Sequence, residues 1–481
     1  MTSGPISIPF PLSSSPGATP HESAGRLINC YAEPLGKDVN AQKGVKPPVV
    51  VWRKVPGLSR FAISSQATFR GMQLVNNTLY AAWSGKATAF DSTGAETTLT
   101  GNLNGTDKVF FARNNKVPTP DLVSVSPGNG GFIVGTSAVS NWSAAGSPNS
   151  VSFMDGYFLL TYGDGTIQAS DLNATTINTL NKTTAQSKPG GLTRGLAFNG
   201  QFYALGPVFG EVYADTANPT GFPFTRSYTL QRGILSPYAV AGQEDGFGSA
   251  LLWVADDNSV VMANGTPNPT KVSPPDLDRL IAGVANKTTL EASVYISSGH
   301  PKWRLTSGSF TWDFDLGTQK WNEVNSYQKT RTRAISGHSA FGKWMVGDTD
   351  SSKILYVDGS AYDEVGNPLQ FQLESGPVVN FPNRTKVARA DFDFVTGVGI
   401  ATGPDPIATH PKVAISWSDD GGISWSNELI RELGAQAEPQ RITVLRTGQT
   451  GVQGRRWRLK VSDPVYCALL GATQDTVLQR K

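Results

Sequence analysis

The chain has 481 residues, a formal net charge of +3 and a charged fraction of only 16%. The length predicts two or three folding units, because a domain usually has roughly 100 to 200 residues. The near balance of charge argues against a dedicated nucleic-acid binder, and two cysteines, Cys30 and Cys467, are too few for a disulfide framework or a cysteine-rich zinc site. With 51 glycines and 31 prolines, the composition favours short strands and tight turns over long helices. We expect synthesis in a reducing cytoplasm with no signal peptide and no membrane span, since residues 1–20 lack lysine and arginine and no apolar run approaches about 18 residues.

Residues 1–60 contain many prolines, glycines and serines and show little periodicity. Such a stretch is typical of chain that lies on other surfaces and does not fold by itself. We therefore predict an extended N-terminal arm.

A loose repeat occupies residues 61–365. Each copy has an apolar strand, a short turn such as Asn76-Asn77, Asp155-Gly156 or Asn199-Gly200, and a second strand that ends near an aspartate. The closing aspartates recur at about 40 to 50 residues, the period of a propeller blade with four short strands. We predict a β-propeller of about six blades, with five or seven also possible and residues 108–135 as a divergent blade. The alternative is a β-sandwich, since turn-rich β-proteins often look self-similar; the best helix candidate is residues 275–281.

From residue 366 to residue 481 the strands are longer and alternate strictly. Phe392 and Phe394 fall on one face of a strand, and Asp391 and Asp393 fall on the other. This pattern predicts a separate antiparallel β-sandwich-like domain. The predicted fold class is therefore all-β, with an extended arm, a propeller and a C-terminal sandwich.

Signatures of catalysis are missing from the sequence. The four histidines are scattered without an HExxH pairing, no Gly-x-Ser-x-Gly elbow occurs, and Gly342-Lys343 is followed by Trp344 where a phosphate loop needs serine or threonine. We predict no catalytic residue, no metal and no cofactor.

Residues 418–425 match the Asp-box pattern of sialidase-type propellers. In such a turn the aspartates and glycines close a hairpin, so the motif is structural even in enzymes. It occurs once, and we interpret it as a hairpin. A carbohydrate-active or host-surface-binding propeller is kept as the alternative function.

Two rows of cations alternate with other side chains, which would place each row on one face of a strand. The rows are Arg456, Arg458, Lys460 and Lys329, Arg331, Arg333. They could touch DNA phosphates along a channel without reading bases. Alternatively, each row is a solvated strand face or pairs with acids at a subunit interface.

Several sequence blocks resemble the tail hub or nozzle proteins of short-tailed bacteriophages, also called packaged-DNA stabilisation proteins. The blocks lie at residues 26–33, 55–58, 415–422, 431–434, 455–465 and 468–472. The residues that carry the resemblance as structural positions are Arg26, Asn29, Tyr31, Pro56, Gly57, Trp417, Asp419, Asp420, Gly421, Gly422, Trp425, Asp463 and Pro464. The family's arginine-rich approach to the last strand is thinner here, at residues 443–448.

The resemblance implies a structural virion protein that forms a homo-hexamer below the portal and adaptor ring. In this family the ring continues the DNA exit channel, retains packaged DNA before genome ejection, and contacts tail fibres or spikes and a needle or plug. We accordingly expect non-specific contact with double-stranded DNA in the channel and a location in the phage tail.

Overall fold

The computed structural model describes residues 2–35, 49–218 and 221–478. The chain forms two compact units, of which the first comprises Met1–Ser59, Ser309–Thr332 and Asp358–Lys481, and the second comprises Arg60–Gly308 and Arg333–Val357. Residues 1 and 36–48 of the predicted arm lie outside the described residues.

The strands are numbered in chain order. The N-terminal strands are β1 (Thr2–Ser7), β2 (Arg26–Ile28), β3 (Cys30–Leu35), β4 (Val49–Lys54) and β5 (Gly57–Ile63). Five four-stranded sheets follow: β6 (Gly71–Val75), β7 (Thr78–Ala82), β8 (Ala87–Phe90), β9 (Glu96–Thr98); β10 (Phe110–Arg113), β11 (Leu122–Ser126), β12 (Gly130–Val134), β13 (Val139–Asn141); β14 (Ser150–Met154), β15 (Tyr157–Thr161), β16 (Thr166–Ala169), β17 (Lys182–Thr184); β18 (Arg194–Phe198), β19 (Gln201–Leu205), β20 (Gly210–Asp215), β21 (Phe224–Leu230); β22 (Val240–Ala241), β23 (Leu252–Val254), β24 (Val260–Met262), β25 (Thr270–Lys271).

The remaining strands are β26 (Glu291–Ser297), β27 (His300–Thr306), β28 (Thr311–Asp315), β29 (Lys320–Glu323), β30 (Ala334–Ala340), β31 (Lys343–Asp348), β32 (Lys353–Asp358), β33 (Asp363–Glu364), β34 (Asn367–Pro368), β35 (Phe371–Glu374), β36 (Thr385–Phe394), β37 (Lys412–Ser418), β38 (Leu429–Glu432), β39 (Ile442–Gln449), β40 (Arg456–Val461) and β41 (Ala468–Leu478). Three single-turn 3-10 helices lie at Pro20–Glu22, Ser143–Ala145 and Lys287–Thr289. The α-helix, α1 (Pro275–Gly283), confirms the predicted short helix. No helix among the described residues is long and apolar enough to span a membrane.

The second unit is a ring of seven antiparallel sheets. The five four-stranded sheets are followed by a sixth sheet, the hairpin β26–β27, and a seventh, β30–β31–β32. The ring closes because Leu79 and Phe90 of the first sheet share a buried core with Met345 and Ile354 of the seventh. The propeller prediction is thus confirmed. The sheets number seven, which is within the predicted range of five to seven, and the divergent stretch forms the complete sheet β10–β13.

Turn chemistry explains why the hairpins of this ring form where they do. Asn76, Asp155 and Asn199 have φ values of 51°, 49° and 49° at the turns of β6–β7, β14–β15 and β18–β19. Asparagine and aspartate tolerate this left-handed region better than most residues, and two-residue hairpin turns require it. The three turns predicted from the repeat are confirmed.

The first unit is a sandwich of two sheets. One has the strand order β3-β4-β41-β36-β39, with β1 paired to β41, and the other runs β28-β29-β2-β35-β40-β37-β38 within this unit. Phe392 and Leu469 of the first sheet share a buried core with Trp457 and Leu459 of the second, and the rings of Phe392 and Trp457 meet edge to face at 5.3 Å. The predicted C-terminal sandwich is confirmed.

The N-terminal segment is not the separate arm that we predicted, as far as its described residues show. Strands β1 and β4 pair with β41, and β2 pairs with β35. Residues 309–332 and 358–365, assigned from sequence to the propeller, also group with the sandwich unit. The N-terminal strands are short and interrupted by proline, so their local pattern is weak, whereas their partners lie hundreds of residues away.

Candidate nucleic-acid interface

The row of Arg456, Arg458 and Lys460 lies on β40, between β35 and β37. Trp457 and Leu459 on the opposite face are completely buried, so the predicted alternation is real. Arg456 is itself buried: its Nη2 donates to the His21 carbonyl oxygen at 2.9 Å and its Nη1 donates to the Ser23 carbonyl oxygen. Arg456 therefore fastens the N-terminal loop to the sheet and is not presented to solvent.

The other two cations of this row have acidic partners in the same chain. Arg458 Nε lies 2.8 Å from Glu374 Oε1, and its guanidinium stacks 3.6 Å from the ring centre of Trp425. Lys460 Nζ lies 2.9 Å from Glu428 Oε1. Two of the three cations of the row are thus ion-paired at a partly exposed sheet face, and the net charge of the row is small.

The second predicted row does not form a strand face. Residues 324–333 contain no strand. They form a turn instead, in which Ser326 N donates to the Arg331 carbonyl oxygen. Lys329 is exposed and Arg331 is half-buried. Arg333 is buried and makes a bidentate ion pair with Asp348, with distances of 2.9 and 2.6 Å, so it serves packing inside the propeller.

A cleft of about 250 Å³ adjoins the β40 row. It is lined by Arg26, Arg456, Arg458, Glu374 and Trp425 together with the loop 16–23. Arg26 makes a bidentate ion pair with Glu323, at 3.0 and 2.5 Å. Three guanidinium groups and two carboxylates thus share one small region of the sandwich.

The Asp-box segment is a turn between β37 and β38. Asp420 accepts hydrogen bonds from Ile423 N, Ser424 N and the hydroxyls of Ser418 and Ser424. These bonds, that from the Ser424 hydroxyl above all, lower the pKa of Asp420 to about 2. Gly421 and Gly422 have φ values of 75° and 97°, as the hairpin interpretation requires, and the carboxylate of Asp420 is occupied in closing the turn.

Arg455 is a residue that the sequence reasoning did not single out. Its side chain is completely buried, and its Nε and Nη2 each lie 2.8 Å from a carboxylate oxygen of Asp419. The guanidinium lies 5.4 and 5.7 Å from the rings of Trp417 and Trp457. The sequence could have indicated a buried position for Arg455, because this residue shares a strand face with Trp457 in the block that carries the resemblance.

The N-terminal residues of the resemblance hold the start of the chain in the sandwich. Asn29 has a φ of 51°, and its Nδ2 donates to the carbonyl oxygens of Asn325 and Gln370 at 3.0 and 2.9 Å. Tyr31 is buried against Val55, and burial raises its pKa to about 12. These contacts stabilise the fold and do not indicate a chemical role.

Pro56 and Gly57 lead into β5, and Asp463 and Pro464 follow β40. A Cβ atom at Gly57 would lie 2.3 Å from the Asp363 carbonyl oxygen, so only glycine fits. Asp463 Oδ2 accepts from Lys412 N at 2.7 Å, and burial raises the pKa of Asp463. Both pairs are structural positions.

Side chains cross the axis of the propeller ring. Lys108, before the second sheet, pairs with Glu291 of the sixth sheet at 2.7 Å, and Phe110 of the second sheet stacks on Tyr238, before the fifth sheet, at 5.6 Å. Because these sheets are not neighbours, the contacts cross the ring. These contacts obstruct the axis, so it is no passage for a macromolecule.

Within residues 2–35, 49–218 and 221–478, no three His, Cys, Asp or Glu side chains are grouped as metal ligands would be. The arrangement of charges described above supports packing and surface contact, and none of it assembles a nucleophile with a base.

Comparisons with known proteins agree with this architecture. The family model described as "Bacteriophage P22 Gp10, beta-propeller" matches residues 41–362. The blocks at 26–33 and 415–472 lie outside the matched range. No curated protein matches the chain.

Similar solved structures include the WD40 beta propeller domain of Doa1, with 8% identity, a TM-score of 0.43, and coverage of 63% of this chain and 97% of that chain. Another is the computationally designed Ika8 protein, with 10% identity, a TM-score of 0.37, and coverage of 62% and 99%. The family match spans more than half of the chain and runs through the ring of seven sheets. The chain therefore belongs to the phage stabilisation family typified by bacteriophage P22 Gp10, a family of structural phage proteins.

Proposed function

We propose that the chain is a subunit of a hexameric tail hub or nozzle, placed in the virion below the portal and adaptor. There it forms the DNA exit channel and retains the packaged genome. The observation that carries the proposal is the family match over residues 41–362, on a chain whose second unit is a closed propeller. The role is structural, and the chain acts through surfaces.

The obstructed axis of the propeller supports a channel formed between subunits. The Lys108–Glu291 ion pair and the Phe110–Tyr238 stack cross the ring, so duplex DNA has no path through one subunit. A passage for DNA then requires several copies around a common symmetry axis. Closed rings of this kind use two different patches on each subunit, one for each neighbour.

The paired charges of the β40 row support a channel wall that DNA slides past. Arg458 and Lys460 each have an acidic partner within 3 Å in the same chain, and the formal net charge of the whole chain is +3. Tight DNA binding requires many unpaired cations that release counterions from the phosphates. A ladder of ion pairs gives contacts that are weak, screened by salt and blind to sequence, as ejection requires.

Exposed apolar side chains on loops of the sandwich supply contacts for neighbouring proteins in this proposal. Phe381 is 77% exposed and Val379 is 51% exposed in the loop between β35 and β36. We assign such loops to contacts with a second copy or with the adaptor, tail fibre or spike, and needle or plug proteins. Single exposed residues are common on any surface, so these assignments depend on the family match.

Inactivation of the gene in its phage tests the proposal. We expect heads that package DNA and then lose it, with retention restored by the wild-type gene. Heads that keep their DNA without this protein would contradict the proposed role.

The β40 row can be tested separately in the same phage. The double variant Arg458→Ser and Lys460→Ser leaves Arg456, which fastens the N-terminal loop, in place. Altered DNA retention or ejection with normal assembly would support a channel position, whereas failure of assembly would assign the row to an interface. Lys386→Ser, which removes an exposed cation on β36 of the other sheet, is the matched control.

A further inference from the structure

A cavity of about 900 Å³ lies at the propeller axis, where the Lys108–Glu291 ion pair crosses the ring. Its lining comes from residues 67–69, 106–108, 237–238, 286–291 and 348–352, together with Ile335, all of which belong to the second unit. Small-molecule sites occupy roughly 300 to 1,000 Å³, so this cavity has the size of a ligand site. Thr106, Asp107, Thr288 and Thr289 are exposed, and solvent therefore reaches the lining.

The lining of this axial cavity is polar. Seven of its eighteen residues are threonine or serine. The large apolar side chains of the lining, Phe69 and Ile335, are buried. Small-molecule sites are usually lined mainly by apolar groups, so this lining favours a ligand that is itself rich in hydroxyl groups.

Tyr238 supplies a free hydroxyl at the boundary of the cavity. Its ring stacks on Phe110 at 5.6 Å, and the guanidinium carbon of Arg194 lies 3.4 Å from the ring centre of Phe110. These contacts fix the position of the tyrosine ring. The hydroxyl has no hydrogen-bond partner among the described residues and keeps accessible surface. Burial, with the nearby Asp107 carboxylate, raises the pKa of Tyr238 to about 12, so the hydroxyl stays protonated and can donate near neutral pH.

Two carboxylates supply acceptors in the same cavity. The exposed Asp107 carboxylate accepts no hydrogen bond from a described residue, although the buried guanidinium of Arg70 attracts it electrostatically. Glu291 receives Lys108 Nζ at 2.7 Å and the Ser336 hydroxyl at 3.2 Å on Oε1. Its Oε2 has no partner among the described residues and keeps accessible surface. The cavity thus presents one hydroxyl and two carboxylate groups to a ligand.

The charge of the lining excludes several classes of ligand. Its acids are Asp107, Glu291, Asp348 and Asp350, and its cation is Lys108. Asp348 is paired with Arg333 behind the wall, so the lining has no excess of positive charge. Phosphates, nucleic acids and acidic sugars therefore gain nothing here. A metal ion is disfavoured as well, since among the described residues no three His, Cys, Asp or Glu side chains group as ligands would.

Neutral saccharides match the groups that remain. Each sugar hydroxyl can both donate and accept a hydrogen bond, and a carboxylate has two oxygens that accept from such hydroxyls. The Tyr238 hydroxyl can donate to a sugar oxygen. Donors and acceptors of the cavity and of the ligand then complement each other without any net charge.

We propose that the axial cavity of the propeller binds a neutral saccharide. Asp107 and Glu291 Oε2 accept hydrogen bonds from its hydroxyl groups, and the Tyr238 hydroxyl donates to it. The proposal concerns binding alone and includes no reaction on the sugar. It goes beyond the proposed role in the tail, because it depends neither on a hexamer nor on contact with DNA.

A printed array of neutral and acidic glycans, incubated with the labelled full chain near neutral pH, provides the first test. We expect neutral glycans to retain the chain and acidic glycans to retain none. Isothermal titration with the best-retained glycan as a free sugar then gives its Kd. A parallel titration with spermidine tests whether the acids of the cavity hold an amine instead.

Variants assign the binding to this cavity. Asp107→Asn removes a charged acceptor and should weaken saccharide binding about tenfold. Tyr238→Phe keeps the ring on Phe110 but removes the hydroxyl, and should weaken binding about fivefold. Both variants should keep the urea midpoint of the wild type, because the groups removed have no hydrogen-bond partner in the chain.

Matched controls come from the third sheet, outside the cavity. Asp155→Asn changes an exposed aspartate at a turn where φ is 49°, a conformation that asparagine also tolerates. Tyr157→Phe removes the hydroxyl of a half-buried tyrosine whose ring packs on Phe224 at 5.8 Å. Both controls should bind the saccharide like the wild type.

Three results would overturn the proposal. The first is an array on which no neutral glycan retains the chain. The second is spermidine binding without saccharide binding, which would assign the cavity to cations. The third is saccharide affinity that is unchanged in Asp107→Asn and Tyr238→Phe, which would place the sugar elsewhere; should one of them fail to fold, the other decides. Because these measurements use the purified chain without phage, their outcome is separate from that of the DNA-retention experiments.

Discussion

Replacement of Asp419 by alanine is expected to destabilise the sandwich unit strongly. Arg455 has a completely buried side chain, and Asp419 supplies both carboxylate oxygens to it at 2.8 Å. Thr447 also accepts hydrogen bonds from this guanidinium, with its carbonyl oxygen at 3.1 Å. The variant therefore leaves a buried charge without its counterion, while part of its hydrogen bonding survives.

Loss of one member of a buried ion pair costs about 3 to 5 kcal/mol. The lower end applies here, about 3 kcal/mol, because the Asp419 side chain is 32% exposed and water reaches the vacated space. Arg455→Met should cost less, about 1 kcal/mol, since the remaining carboxylate is solvated and methionine fills the space between Trp417 and Trp457. The double variant should resemble Arg455→Met alone, at about 1 kcal/mol, which gives a coupling of about 3 kcal/mol.

Urea denaturation followed by tryptophan fluorescence measures these differences. With a slope of about 2 to 3 kcal/mol per molar urea, Asp419→Ala should lower the midpoint of the sandwich transition by about 1 to 1.5 M. A midpoint shift below about 0.3 M would refute the reasoning. Strict additivity in the double variant would show that the pair is not coupled.

Three further predictions concern a close backbone approach and two carboxyl groups. Gly57→Ala should destabilise the chain by about 1 to 3 kcal/mol, because its Cβ atom would lie 2.3 Å from the Asp363 carbonyl oxygen. The control is Gly471→Ala, whose Cβ atom would meet no other atom and which should leave the urea midpoint unchanged. Asp420 has a folded pKa of about 2 against about 3.9 when unfolded, so its contribution to stability is present above about pH 4 and is lost as pH falls towards 2; acid titration of Asp420→Asn should lack that loss. Glu244 has a folded pKa of about 7 against about 4.3 when unfolded, so stability should fall as pH rises from about 4 to 7, and thermal unfolding of Glu244→Gln should show no such fall.

The sheets were predictable from sequence where turn chemistry is local. Asn76, Asp155 and Asn199 mark two-residue turns whose backbone favours those residue types, and each lies between two apolar strands. The stretch at β10–β13 was predicted only as a divergent blade because it lacks such a turn between β11 and β12, where three residues, 127–129, make the connection. A repeat is recognised by its turns, so a blade with a different turn is hard to match to the others.

Pairing across the sequence was not predictable. Strand β1 pairs with β41 and β2 pairs with β35, and nothing in a proline-rich N-terminal segment records partners so far along the chain. The β40 row shows the same limit at the level of side chains. Alternation placed Arg458 and Lys460 on one face, but Glu374 and Glu428, which neutralise them, come from other parts of the sheet.

The contact between Phe110 and Arg194 could not have been found in the sequence by any pattern. These two residues belong to separate sheets and meet only when the ring closes. Conversely, a strand carrying Lys329, Arg331 and Arg333 was predicted from only five alternating residues. The structure has a single turn there instead. Short alternation is weak evidence where no apolar residue of the same segment is buried opposite.

Electron microscopy of the purified chain, alone and with its adaptor, tests the central claim most directly. The account predicts a six-fold ring in which the propellers surround an open centre wide enough for duplex DNA, with the axis of each propeller closed. A particle that stays a monomer of 51.3 kDa under both conditions, or a ring without an open centre, would contradict it.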